Sequence, residues 1–309
     1  MLLLLAVALP RLFWDGAVDT APALKDAGFT QIVVPAERLE SWKNVAGVSA
    51  SATDPKTAVK LIPPGVRNGA GQASASREPW LDSNGWRFAR QPQGRFYYDV
   101  TERQSAVAAA EAFSYGADAL IHTNTAGLKP FAQMLDFLRG VPSNDMPSTA
   151  DIGFIDDGSD AAGEVMNLMI RGNLLFRIVT APDRHLKLNV KLGTPEYPVE
   201  EAKNPKMTTA RIRSNLTDEK RSIRIYGSPV VVARVTESGG KARIQLINYA
   251  GAARKVFGVR VRILGRYSNH KVTADGAPSV ALQDFTADAA ATEFTLPELN
   301  TYAVIDLAR

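Results

Sequence analysis

The stretch 95–123, RFYYDVTERQSAVAAAEAFSYGADALIHT, decides the fold. RFYYDV is rich in aromatic and β-branched residues and has strand length. ERQSAVAAAEAFSY (102–115) is an alanine-rich helix pattern, and Gly116 supplies its stop. ADALIHT (117–123) then reads as a second strand. Strand, helix and strand within about thirty residues form a crossover unit, which requires a parallel sheet. The unit repeats to its C-terminal side as a helix over 128–139, closed by Gly140.

The same alternation extends towards the N-terminus. RLFWD (11–15) is a short apolar run, and 19–27 is helical with Gly28 as its stop. FTQIVVP (29–35) is a β-branched strand, 36–43 a short helix and TAVKLIP (57–63) a third strand. A connection rich in Gly, Ser, Asn and Trp follows over 64–94. Connections of that length inside a domain are uncommon and usually functional.

Beyond a polar linker at 141–150, a second α/β section begins. It has strands at 151–156, 174–180 and 222–226, helices at 161–171 and 206–215, and a short strand within 183–193. From about Pro229 the period changes to two. VVVARVTESGGKARIQLINYAG is a hairpin that turns at Gly239-Gly240, and further alternating strands follow it. The expected fold class is therefore α/β. It comprises a partial or irregular (β/α) barrel at 11–145, a Rossmann-like α/β unit at 150–228 and a C-terminal antiparallel β-sandwich at 229–309. One irregular barrel spanning 11–227 fits the strand count as well, but the linker at 141–150 favours the divided reading.

Composition narrows the function. The 309 residues carry 36 basic and 32 acidic side chains, a net charge of +4, with 45% hydrophobic residues. That excess is small and argues against a nucleic-acid partner. Arg260, Arg262 and Arg266 fall at strand spacing and read as a solvated strand face. Cysteine is absent, which excludes disulfides, thiolate metal sites and a cysteine nucleophile. Residues 2–9, LLLLAVAL, have the length of a signal-peptide core with a small-x-small cleavage pattern at 6–8. Residues 1–10 are thus expected to be a signal-like segment of a secreted or periplasmic protein, the alternative being a buried first strand. No segment is long and apolar enough for a membrane span.

In parallel α/β folds, ligands bind at the carboxyl ends of the strands. Asp15, Glu37, Asp99 and Asn124 stand at such ends, and the long connection adds Glu78, Trp80, Asp82, Asn84 and Trp86. Asp15, Glu37, Asp82 and Asp99 are the candidate catalytic acids. Paired carboxylates are what a glycosidase uses, one protonating the leaving oxygen while the other attacks or activates water. Glu78, Trp80, Asn84, Trp86 and Asn124 are candidate substrate contacts, with the tryptophans as stacking platforms for an oligo- or polysaccharide. Each residue also has a structural explanation, as a helix cap, a first-turn acid or a loop anchor.

Other chemistry is poorly represented. His122, His185 and His270 lack metal-ligand spacing and read as structural, and IDDGSDA (155–161) lacks the full calcium-loop pattern. No GxSxG is present, and GVRNGAG (65–71) lacks the ending of a phosphate-binding loop. No cofactor and no metal are expected, and oligomeric state is not legible.

RLFWDG, GFTQIVVPAE, PWLDSNGWRF and RFYYDV together resemble the secreted glycoside hydrolases built on a (β/α) barrel. DIGFIDDGSDAAGEVMNLMIRGNLLFRIV looks like the class-I-amidotransferase-like unit that follows the barrel in β-galactosidase-like enzymes, and the C-terminal strands resemble the β-sandwich that closes them. The resemblance implies a glycoside hydrolase, or a relative that binds carbohydrate without turning it over. The chain departs from that pattern in lacking an Asn-Glu pair at a strand end and a cysteine in the amidotransferase-like unit.

Overall fold

The computed structural model describes residues 9–67, 79–277 and 280–309. The signal-like residues 1–8 and the candidate contact Glu78 lie outside them. The chain divides into two compact units, the first made of residues 1–65 and 91–145 and the second of 66–90 and 146–309.

The first unit holds strands β1 (Arg11–Phe13), β2 (Gln31–Val34), β3 (Ser49–Ala52) and β4 (Val59–Lys60). The second unit contributes the next pair, β5 (Gly65–Arg67, beginning at the boundary) and β6 (Trp80–Asp82), and β7 (Arg95–Val100) and β8 (Asp118–Thr123) return to the first. The helices in the same stretch are α1 (Ala21–Asp26), α2 (Leu39–Trp42), α3 (Gly85–Arg90, in the second unit), α4 (Glu102–Tyr115) and α5 (Thr125–Arg139).

The six strands of the first unit form one parallel sheet in the order β3-β2-β1-β8-β7-β4. This is a cyclic sequence, with the first strand lying between the second and the last. Among the described residues no pairing joins β3 to β4, so the sheet is open there rather than a closed barrel. The expected third strand at 57–63 shrinks to β4, because Pro55–Thr57 is a 3-10 turn that Asp54 caps by accepting from the Lys56 N–H at 2.9 Å. β3 was not foreseen; its small side chains show no apolar alternation, and pairing with β2 holds it in place.

Local chemistry fixes the helices against this sheet. The α4 N-terminus is closed where the Thr101 N–H donates to Gln104 Oε1 at 3.2 Å, and its C-terminus ends at Gly116 with φ +64°. α5 starts at Asn124, whose side chain accepts from the Gly127 N–H at 3.0 Å. α4 packs on β7 and β8, burying Phe96, Tyr98, Val100, Ala119 and Ile121. Tyr98 points at α4, since its hydroxyl donates to the buried Glu111 at 2.5 Å. α5 buries Leu128, Phe131, Leu135 and Leu138, each contributing about 1.5–3 kcal/mol. Residues alternate along strands, so Phe13, Val33, Tyr97 and Leu120 form a separate apolar cluster on the opposite face.

In the second unit, β9 (Ile152–Ile155), β10 (Phe176–Ile178) and β11 (Leu188–Lys191) form a parallel sheet in the order β10-β9-β11. Helices α6 (Asp160–Arg171), α7 (Val199–Ala202) and α8 (Pro205–Leu216) accompany it. Its buried core gathers Phe154, Met166, Met169, Tyr197 and Ile212. The remaining strands are β12 (Ile223–Tyr226), β13 (Val231–Ser238), β14 (Lys241–Asn248), β15 (Val256–Leu264), β16 (Asn269–Ala274), β17 (Gln283–Ala287), β18 (Ala291–Leu299) and β19 (Tyr302–Ala308). They form two antiparallel sheets, β12-β15-β18-β17 and β13-β14-β19-β16, around one apolar core. β13 and β14 turn at Gly239 and Gly240, both at positive φ, as a two-residue hairpin requires.

Candidate active site

The carboxyl ends of three adjacent parallel strands meet at one histidine. Asp15 follows β1, Asp99 is the penultimate residue of β7 and His122 is the penultimate residue of β8. The register sets His122 opposite Asp99 on one side and Phe13 on the other. His122 Nδ1 lies 2.8 Å from Asp99 Oδ1, and His122 Nε2 lies 3.1 Å from Asp15 Oδ1. Ionised carboxylates only accept, so two protons shared among the three groups complete both contacts. The imidazole side chain is 22% exposed, whereas the Asp15 and Asp99 side chains are 59% and 55% exposed.

Tyr97 forms the floor beneath the histidine. Its ring lies near-parallel to the His122 ring at 6.5 Å between centroids, and Phe13 meets it edge-on at 5.6 Å. Burial, then the charges of Asp99 and Asp15, push the Tyr97 phenol up from 10.0 to about 12. The arrangement can accept hydrogen bonds from a ligand's hydroxyls at two exposed carboxylates. It can also pass a proton between a carboxylate and the imidazole.

The other candidates have settings of their own. Glu37 is an exposed residue of the 3-10 turn Ala36–Arg38. Asn124 uses its side chain to cap α5. Asp82, Trp80, Asn84 and Trp86 belong to the second unit, whereas Asp15 and Asp99 belong to the first. Asp82 pairs with Arg67 at 2.6 Å and accepts from Trp80 Nε1 at 3.1 Å. Arg171 lies over the Trp80 ring at 4.3 Å, and Arg87 and Arg90 lie over Trp86 at 4.2 and 5.0 Å. Guanidinium groups thus lie over the rings that sugars were expected to stack on. Trp86 also packs on the core of the second unit, and Asn84 is fully buried.

His122 is the site residue that sequence reasoning assigned to structure alone. Its signal was the strand period, which puts His122 and Leu120 on one face of β8, but only the sheet register brings that face to Asp99. The IDDGSDA segment is a helix start: Asp156 is held by the Arg90 fork at 2.8 Å through both contacts, and the Ser159 hydroxyl accepts from the Ala162 N–H at 3.1 Å. Bonding from Ser159 pulls the Asp157 carboxyl below its ordinary value. Among the described residues no cluster of three His, Asp or Glu has the arrangement of a metal site.

No family model matches the chain, and no curated protein matches it. Among solved structures it is similar to α-L-fucosidase isoenzyme 2 from Paenibacillus thiaminolyticus. The TM-score is 0.53 at 9% identity, covering 87% of this chain and 70% of that one. At that identity the likeness establishes a shared fold, a parallel α/β sheet with accompanying antiparallel sheets, and nothing of its role. The catalytic module of a family 98 glycoside hydrolase from Streptococcus pneumoniae TIGR4 covers 89% of this chain and 67% of its own at TM-score 0.27 and 9% identity. The Clostridium acetobutylicum xylanase Xyn30A covers 98% and 97% at TM-score 0.23 and 12% identity. At those scores neither supports an argument.

Proposed function

We propose that this chain is a carbohydrate-active protein of the glycoside-hydrolase kind, with its sugar held at the carboxyl ends of the parallel sheet. The observation that carries the reading is the Asp15–His122–Asp99 cluster, two exposed carboxylates bridged by one imidazole where parallel α/β folds bind ligands. The cyclic strand order supports regarding the first unit as a (β/α) barrel opened between β3 and β4. The shared fold with a fucosidase agrees with this, and it makes fucosides the first substrates to try.

In the proposed mechanism one of the two aspartates, in its acid form, gives its proton to the glycosidic oxygen, while the other takes a proton from the water that attacks the anomeric carbon, so that the glycosidic bond breaks as the new C–O bond forms and the leaving sugar departs as an alcohol. His122, in contact with both, holds the side chains in orientation and carries the proton taken from water by one aspartate back to the one that gave its own away. The test is hydrolysis of a panel of nitrophenyl glycosides, fucosides included. Asp15→Asn and Asp99→Asn should each lower kcat/KM by about a hundredfold or more, the size of a general acid–base contribution. Turnover that survives intact in both variants would refute the assignment.

A second reading has its own support. Both carboxylates are already engaged by His122, which suits a protein that binds sugar hydroxyls without cleaving a bond. That reading predicts saturable sugar binding, weakened in the same variants, with no hydrolysis by the parent protein.

A further inference from the structure

The outer face of the β12-β15-β18-β17 sheet concentrates arginine and exposed aromatic surface. Arg224 on β12 stands directly opposite Arg262 on β15, and Tyr226 stands opposite Arg260. Like charges in direct cross-strand register cost stability. Arg260 and Arg262 share a single carboxylate, Glu293, at 2.6 and 3.5 Å. Arg224 has no ion pair among the described residues; its Nη1 donates to Tyr226 Oη at 3.2 Å. Arg224 Nε and Arg262 Nη1 are buried without a hydrogen-bond partner.

The aromatics point the same way. Tyr226 is 42% exposed and Phe257 66% exposed, and they are the two aromatics among the exposed large apolar residues described. Phe257 lies on the same strand as Arg260 and Arg262, next to Gly258, whose φ of +65° breaks the strand alternation that would otherwise turn Phe257 inward. Glu298, opposite Phe257, is paired by Lys255 at 2.6 Å, and Arg260 and Arg262 pair Glu293, so Arg224 is the guanidinium of this group without an ion pair among the described residues; ring faces beside it fit a ligand with flat apolar patches and spaced planar or tetrahedral anions.

We propose that this face of the β-sandwich binds an acidic polysaccharide, with Arg224 and Arg260 engaging its carboxylate or sulfate groups, the largely buried Arg262 adding charge behind them, and Tyr226 and Phe257 packing on its sugar rings. Glu293, held by Arg260 and Arg262, offsets part of the arginine charge, which suits a glycan with spaced anions beside sugar rings better than a nucleic acid with a phosphate at every unit. The site stands whether or not the Asp15–Asp99 site turns sugars over.

The experiment is calorimetric titration of the whole chain with oligogalacturonate, chondroitin sulfate, neutral dextran, oligothymidylate and inorganic sulfate. At least one acidic glycan should bind and dextran should not. Binding should weaken as salt is raised. The Arg224→Gln, Arg260→Gln double variant should lose at least about tenfold in affinity, the order expected for removing charge-assisted hydrogen bonds. Tyr226→Ala, a change at a surface ring, should lose several-fold, with circular dichroism confirming that both variants remain folded. Unchanged affinity in both variants, equal binding of dextran, tighter binding of oligothymidylate, or inorganic sulfate matching the glycans would each overturn the proposal.

Discussion

Replacing Asp99 with asparagine should lower the pH at which Tyr97 ionises. The Tyr97 phenol is held at about 12 rather than 10.0, a rise of about two pH units, with burial the largest cause, Asp99 second and Asp15 third. A contribution ranked behind burial supplies less than half of that rise. Asp99→Asn should therefore bring Tyr97 down by up to about one pH unit, Asp15→Asn by less, and the double variant should leave the part due to burial. The chain has 8 tyrosines, so a bulk absorbance titration would blur the result. Carbon-13 labelling of the tyrosine ring, with Tyr97 assigned by its loss in Tyr97→Phe, resolves the single residue by NMR. A Tyr97 midpoint that stays put in both aspartate variants would refute the placement of these charges over the phenol. The catalytic arrangement built on that placement would then fail with it.

Three stability predictions test the scaffold. A Cβ at Gly127 would lie 2.0 Å from Thr123 Oγ1, so Gly127→Ala should destabilise by about 1–3 kcal/mol in urea unfolding despite alanine's better helix propensity. Arg90→Met strips the fork from Asp156, whose side chain is only 9% exposed, and should cost about 3 kcal/mol in the same assay, with Arg90→Lys restoring only part of it. Arg213 and then Arg221 hold the Asp218 carboxyl well below the usual carboxylate range. Its stabilisation is therefore present above the unfolded value of about 3.9 and is lost as pH falls through the folded one. Thermal scans should show Asp218→Asn melting below the parent at pH 7, with the gap narrowing below about pH 4; a gap that widens in acid would contradict the pairing.

The elements with strong local periodicity were legible. RFYYDV and the helix after it carry their own strand pattern, alanine run and glycine stop, and they emerge as β7 and α4. β3 was illegible because Ser49–Ala52 owes its conformation to β2 rather than to its own side chains. The 64–94 connection read as one long loop because β5, β6 and α3 are each too short to show a period, and their partners lie in the second unit. Asp15 and Asp99 were reachable from strand ends alone. His122 was not, since Asp15 and His122 are 107 positions apart and only the parallel register of β1, β8 and β7 brings them together. Trp80 and Trp86 have Arg171, Arg87 and Arg90 over their rings, contacts that sequence spacing could not anticipate.

The most direct test of the central claim is a crystal structure of the Asp99→Asn protein soaked with intact fucosides and a mixed oligosaccharide pool. The account predicts sugar density at the carboxyl ends of β1, β7 and β8, with ring hydroxyls donating to Asp15 and a glycosidic oxygen within hydrogen-bond reach of residue 99. Sugar bound only elsewhere, with Asp15 still closed on His122 and the strand ends empty for every ligand in the pool, would contradict it.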